Sequence, residues 1–186
     1  AGRAWPALNQ HGVLELIRQR LAPKVTLDSF IHAIVTDADY RADIVLDDDI
    51  RPAAQTLSVV TDPRDVLLTG ATGFLGAFLL RDLLRETTAT VHCLVRAGSV
   101  ADADRRLRDN LAWYEIDADL SRVRVLPGDL AAPRLGLGEA EFDRLAREVD
   151  LVVHAGAQVN WLQPYRALHA ANVAGTTEIL RLAARH

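Results

Sequence analysis

The chain has 186 residues, 49% of them hydrophobic and 25% charged, which describes a globular protein able to bury a core rather than a disordered one. A formal net charge of −4 offers no basic surface for tracking nucleic-acid phosphates, and no run approaches the roughly 18 apolar residues of a membrane span, so neither nucleic acid nor membrane is expected as a partner. The single Cys93 excludes an internal disulfide and no signal-peptide pattern opens the sequence, which gives the expectation of a cytoplasmic protein.

Residues 1–62 read as a mostly helical and irregular lead-in. Val13, Leu14, Ile17 and Leu21 recur at helical spacing before Pro23, and Leu27, Phe30, Ile31 and Ile34 form a second stripe opened by Asp28 or Ser29. An acidic, proline-punctuated tract follows, with Asp37, Asp39, Asp43, Asp47, Asp48, Asp49, Pro52 and Pro63. Its spacing fits no calcium loop, which leaves a solvated linker or a segment lying along the next domain.

From Asp65 the pattern alternates strand and helix. Val66–Thr69 is a buried strand that stops at Gly70, Gly73 and Gly76, and a helix with Phe74, Leu75, Phe78, Leu79 and Leu83 on its inner face follows. Thr90–Arg96 is the second strand; the next helix starts at Ser99, an N-cap with Asp102 at N3, and carries Val100, Ala103, Leu107 and Leu111 in register. Val123–Leu126 is the third strand, ending in Pro127-Gly128-Asp129-Leu130. The third helix covers 139–148 with Phe142, Leu145 and Val149 inward, Leu151–His154 is the fourth strand, and the last helix runs from near Pro164 towards Arg185. Near-continuous apolar strands separated by helices predict an α/β, doubly wound parallel sheet of Rossmann type, its first four β-α units in the order 3-2-1-4.

Ligands of such sheets lie beyond the carboxyl ends of the strands, so the residues there carry the chemistry. A strand, three glycines and a helix N-terminus suit a dinucleotide pyrophosphate: the turn after the strand needs unusual φ/ψ, the backbone must approach the phosphates, and the helix end favours their charge. Arg96 stands at the end of the second strand where NAD-binding chains place an acid, and its guanidinium suits a 2′-phosphate, which favours NADPH. One of Arg105, Arg106 and Arg108 on the next helix can reach the same phosphate, the others being solvated helix face. Asp129 can accept a bond from an adenine amino group, or serve only as a turn aspartate, while Leu130 packs on the ring; Ala155, Gly156 and Ala157 are small enough for a cofactor to lie against their backbone. Cys93, in mid-strand, reads as a buried inert thiol, and His154, ending a buried strand, as structural. Tyr165 and His169 have the spacing of a Tyr-x-x-x-Lys pair, but histidine lacks the permanent charge that lowers a tyrosine pKa, so they are rejected as a catalytic pair.

Together these pieces resemble the extended short-chain dehydrogenase/reductase superfamily, and within it the terminal thioester reductase domains of non-ribosomal peptide and polyketide synthases and of carboxylic acid reductases. The motifs that carry the resemblance are TGATGFLG (69–76), LVR (94–96), GDL (128–130), HAGAQVNW (154–161) and NVAGT (172–176), with VTLDSFI (25–31) and LDDDIRP (46–52) upstream. The resemblance implies an NADPH-dependent hydride transfer to a 4′-phosphopantetheine thioester on an acyl or peptidyl carrier protein, releasing an aldehyde or alcohol. By motif, Thr72, Gly73, Phe74 and Leu75 line the pyrophosphate, Arg96 and Arg106 hold the 2′-phosphate, Asp129 and Leu130 take the adenine, Ala155, Gly156 and Ala157 flank the ribose and nicotinamide side, and Asn172 keeps the last helix in shape beside the site. It further implies that 1–62 links a preceding carrier domain to an NADP-binding domain, 63–186, incomplete at its C-terminus. The family's catalytic Ser/Thr, Tyr and Lys are expected beyond residue 186, since Lys24 is the only lysine here; no catalytic residue is assigned within the chain, and the rest of the reductase is an expected partner. The alternatives are another extended dehydrogenase/reductase of epimerase or dehydratase type using NAD, and a non-catalytic NADP sensor.

Overall fold

The computed structural model describes residues 43–51 and 60–185, so both helical stripes expected before residue 37 lie outside the described residues. Four parallel strands, β1 (Asp65–Thr69), β2 (Thr90–Arg96), β3 (Val123–Gly128) and β4 (Leu151–His154), form one sheet in the order β3-β2-β1-β4. Helices α1 (Phe74–Glu86) and α2 (Val100–Trp113) pack on one face against Leu68, Val91, Cys93 and Val95. Helices α3 (Glu139–Glu148) and α5 (Gly175–Ala183) pack on the other against Leu67, Leu94 and Leu126 through Phe142, Leu145, Ile179 and Leu182. Successive residues of β1 thus enter opposite cores, and each fully buried leucine contributes about 1.5–3 kcal/mol. This is the expected doubly wound architecture.

The phase of α1 departs from the expectation. Gly76, Ala77, Leu80 and Leu84 are the buried positions, with Leu79 and Leu83 at the margin of the core. Phe74 and Leu75, expected inward, are 67% and 59% exposed. The cause is the crossing point with the turn after β1: a Cβ on Gly76 would lie 1.9 Å from the Gly70 carbonyl oxygen. Only the small-residue face of the helix can approach that closely, so the larger stripe is turned outward. Phe74 instead stacks edge-on with Phe78 (5.3 Å between centroids) and Tyr114 (5.6 Å).

Three smaller differences follow from position. Val100 is exposed at the first turn of α2, whereas Ala103, Leu107 and Leu111 are buried and Ser99 caps the helix as expected, its hydroxyl accepting from the Asp102 amide at 3.1 Å. β3 runs on through Pro127 and Gly128, paired with Val95 and Arg96; proline is tolerated because β3 is an edge strand and needs no donor outward. The last helix is divided: α4 (Tyr165–His169), one π-helical turn (Ala170–Ala174), then α5, with the Thr176 and Thr177 hydroxyls donating back to the carbonyls of Asn172 and Val173.

Of the two readings of the acidic tract, residues 43–51 take the second: they lie along α4 and α5. The Tyr165 hydroxyl donates to Asp43 Oδ2 (2.6 Å), His169 Nε2 meets Asp43 Oδ1 (3.0 Å), Arg181 binds Asp47 and Asp49, and Ile50 is buried.

Candidate functional site

A cavity of about 350 Å³ opens where the carboxyl ends of all four strands meet the glycine turn. Gly70 has φ 75°, a left-handed conformation that disfavours any side chain, and a Cβ there would sit 2.7 Å from the Ala155 carbonyl carbon. The turn is closed by the Gly73 amide donating to the Gly70 carbonyl (2.9 Å). Gly73 then serves as N-cap of α1 without a side-chain cap, and no acid occupies the first turn. The positive end of a 13-residue helix is therefore left for an anion beside the cavity. Gly70, Thr72 and Gly73 line the cavity. Phe74 and Leu75 send their side chains away from it, and Gly76 is sealed against Gly70, so only backbone amides of this first turn are available to a ligand.

At the end of β2, Arg96 and Arg106 line the same cavity and an adjoining hollow of about 450 Å³. Arg106 donates to the Arg96 main-chain carbonyl, which draws these residues, ten apart in sequence, to one corner. Their neighbours are occupied: Arg105 pairs with Asp102 and Asp109, and Arg108 with Asp104 (2.7 Å). Among the described residues neither Arg96 nor Arg106 forms an ion pair with a carboxylate, which leaves two cations facing the hollow.

The third wall is the turn after β3. Asp129 and Leu130 line the cavity; Asp129 Oδ1 accepts from the Ala131 amide (2.9 Å), so the carboxylate also builds its own turn. The loop continues through Arg134, Leu135 and Gly136, all at positive φ (51°, 60° and 73°), with Leu135 wholly buried and the Arg134 amide donating to Glu178 Oε2 (2.7 Å). The fourth wall is Ala155, Gly156, Ala157 and Gln158. Gly156 is held close, since a Cβ there would meet Leu130 Cδ1 at 2.6 Å. Asn172 does not line the cavity. Its amide clamps both backbone groups of Gln158, accepting from N (2.7 Å) and donating to O (3.0 Å). Gln158 has no role assigned from sequence, although it lies within the HAGAQVNW motif beside the three small residues.

Sequence reasoning also missed the chain of hydrogen bonds behind this wall. Thr69 Oγ1 lies 2.6 Å from His154 Nδ1 and accepts from the Gly156 amide (3.0 Å); His154 Nε2 lies 3.2 Å from Thr176 Oγ1, whose hydroxyl donates to the Asn172 carbonyl. The donor count assigns a neutral Nε2–H imidazole that accepts at Nδ1 from the Thr69 hydroxyl. Burial pushes the His154 pKa below its usual value, in keeping with that state. His154 is thus a structural member of the wall, as expected. Cys93 does not line the cavity and is buried in the core under α1 and α2, where burial pushes its thiol up to about 12. Tyr165 and His169 contact one another and Asp43. A larger hollow, about 830 Å³, runs along the outer edge of β3 between α2 and α3, away from the glycine turn, among side chains such as Arg144 and Glu148 that already pair. Among the described residues no group of His, Cys, Asp and Glu could hold a metal, and no helix is long and apolar enough to cross a membrane.

The profile of the NAD-binding family described as male sterility protein matches residues 68–186. The chain belongs to this family. It is accordingly an NAD(P)-binding domain, with a nicotinamide dinucleotide as its cofactor. The chain is 47% identical over 165 residues to a glycine betaine reductase of Emericella nidulans, covering 83% of this chain and 13% of the relative. It is 47% identical over 146 residues to an isonitrile lipopeptide synthase of Streptomyces coeruleorubidus, covering 77% and 10%. Among solved structures it superposes on the terminal R domain of the myxalamid PKS-NRPS pathway with a TM-score of 0.73 and 48% identity, covering 77% of this chain and 38% of that one. The chain therefore spans about an eighth or less of these two curated relatives.

Proposed function

We propose that this chain is the cofactor-binding part of an NADPH-dependent reductase that releases a carrier-bound acyl, peptidyl or polyketide thioester as an aldehyde or alcohol. The observation that carries the cofactor half is the pair Arg96 and Arg106, which form no ion pair among the described residues, at the far end of a cavity whose near end is a helix N-terminus without a side-chain cap. That spacing of positive charge suits a dinucleotide bearing a 2′-phosphate, and the residue that ends β2 is Arg96 rather than an acid. The reductase half is supported by relatives named as a betaine reductase, a lipopeptide synthase and a terminal R domain.

In this reading Gly70, Thr72 and Gly73, with the amides of Phe74, Leu75 and Gly76, hold the pyrophosphate, and Arg96 and Arg106 bind the 2′-phosphate. Asp129 and Leu130 bracket the adenine. Ala155, Gly156 and Ala157, braced by Asn172, admit the ribose and nicotinamide. Bound NADPH supplies a hydride; the chain's own residues orient it and exclude water from one face. Proton delivery falls to groups outside 1–186, the region 1–62 serves as the lead-in from a carrier domain, and the reaction runs in the cytoplasm. The test is turnover in the longer protein: a phosphopantetheine thioester on its carrier should be reduced at the expense of NADPH, with the aldehyde or alcohol as product. Residues 1–186 alone should show none. Thioester-dependent NADPH oxidation by this chain alone, or a longer protein that ignores the thioester, would overturn the proposal.

A further inference from the structure

Residues 43–51 do not line the cavity, yet their contacts fall on the helical unit that holds one of its walls and the loop behind another. Asp43 takes the Tyr165 hydroxyl (2.6 Å) and His169 Nε2 (3.0 Å) on α4. Three residues beyond His169 stands Asn172, whose amide fixes the backbone of Gln158. At the other end of the segment Arg181 is gripped by Asp49 (2.7 Å) and Asp47, and the same guanidinium holds Glu178. Glu178 in turn receives the amide of Arg134 (2.7 Å), the first of three successive left-handed residues in the loop after β3. Such backbone persists only where its surroundings over-determine it. The helical unit itself needs support, because α4 is five residues long and continues into a π-helical turn. Arg181 and Glu178 are 20% and 16% exposed, which screens this pairing less than one in open solvent.

We propose that residues 43–51 are a positioning strap: by gripping Tyr165, His169 and Arg181 they fix Asn172 and Glu178, and through these the Gln158 wall of the cavity and the Arg134–Gly136 loop that backs its Asp129 wall, where Asp129 N donates to the Leu135 carbonyl (2.7 Å), so that dinucleotide affinity depends on the strap being seated. Whatever pulls on the chain upstream of Asp43 then reaches the cofactor site without touching it. The affinity clause rests on the cofactor reading above; the structural clause does not.

The test uses the full chain with Asp43→Asn, Asp47→Asn and Asp49→Asn, isosteric changes at partly exposed positions, and reads amide hydrogen exchange together with NADP+ binding. In the triple variant the Gln158 and Arg134 amides should exchange roughly tenfold faster or more while the core amide of Val91 is unchanged. The NADP+ Kd should rise about fivefold or more. Asp43→Asn alone should release Gln158 and spare Arg134, and the Asp47→Asn/Asp49→Asn pair should do the reverse. Unchanged protection at both amides, or equal acceleration at Val91, overturns the strap. Released amides with an unchanged Kd overturn its control of affinity. A wild-type chain that fails to bind NADP+ while its amides respond as expected refutes the cofactor reading and leaves the structural clause standing.

Discussion

Adding one methyl group at Gly76 tests how the site is built. A Cβ there would lie 1.9 Å from the Gly70 carbonyl oxygen, 2.5 Å from the Gly70 carbonyl carbon and 2.9 Å from Ala71 Cα. All three are backbone atoms, so no rotamer change relieves the overlap. Gly70 cannot simply retreat, because it is closed on Gly73 by a 2.9 Å hydrogen bond and pressed against Ala155 on its other side. Two terms oppose one another in Gly76→Ala. Replacing glycine in a helix gains about 1 kcal/mol. Overpacking against backbone costs about 3 kcal/mol or more, the upper end of such penalties. The expected outcome is a net loss of about 2 kcal/mol or more. For a urea slope of about 2 kcal/mol/M, that lowers the unfolding midpoint by about 1 M or more. Gly98→Ala, where a Cβ meets nothing within 4 Å, is the control and should change stability by less than about 0.5 kcal/mol. A Gly76→Ala midpoint equal to or above wild type would mean that helix α1 does not press on the glycine turn, and would refute the account of why its small face is buried.

The remaining predictions concern groups whose protonation the fold controls. His154 has a folded-state pKa below the usual 6.5, so between the two values the unfolded chain holds the extra proton. Its contribution is complete above about pH 6.5 and is lost as the pH falls towards the folded value. Urea midpoints measured from pH 7.5 to 5.5 should therefore decline more steeply for wild type than for His154→Gln, and parallel profiles would contradict the neutral assignment. Cys93, buried with its pKa pushed up to about 12, should resist a thiol reagent at pH 8 in the native chain and react as one thiol in urea; rapid native labelling would refute its burial.

Much of this architecture was legible because buried parallel strands leave continuous apolar runs and because the topology fixes where their ends converge. Thr90–Arg96, Leu151–His154 and the 139–148 helix were bounded correctly from sequence for that reason, and so were Gly70, Arg96, Asp129 and Ala155–Ala157 as neighbours of one cavity. The face of α1 was not legible: its apolar spacing favoured Phe74 and Leu75, but a close approach invisible in one segment alone decided the matter. The link from Thr69 through His154 to Thr176 joins residues far apart in sequence, and no local pattern announces it. Among the three arginines of α2, spacing alone left the choice open; ion pairs at Arg105 and Arg108 single out Arg106. The acidic tract was equally consistent with solvent and with docking until Asp43, Asp47 and Asp49 met Tyr165, His169 and Arg181.

The central claim is that Arg96, with Arg106, makes this a site for NADPH. Titrating NADPH and NADH into the chain and into Arg96→Ala measures it directly. A charge-assisted contact worth about 1.5–3 kcal/mol predicts that wild type binds NADPH roughly 10- to 150-fold more tightly than NADH. In Arg96→Ala the ratio should fall towards unity while NADH affinity stays the same. Equal affinities in wild type, or a preference that survives removal of both arginines, would contradict it.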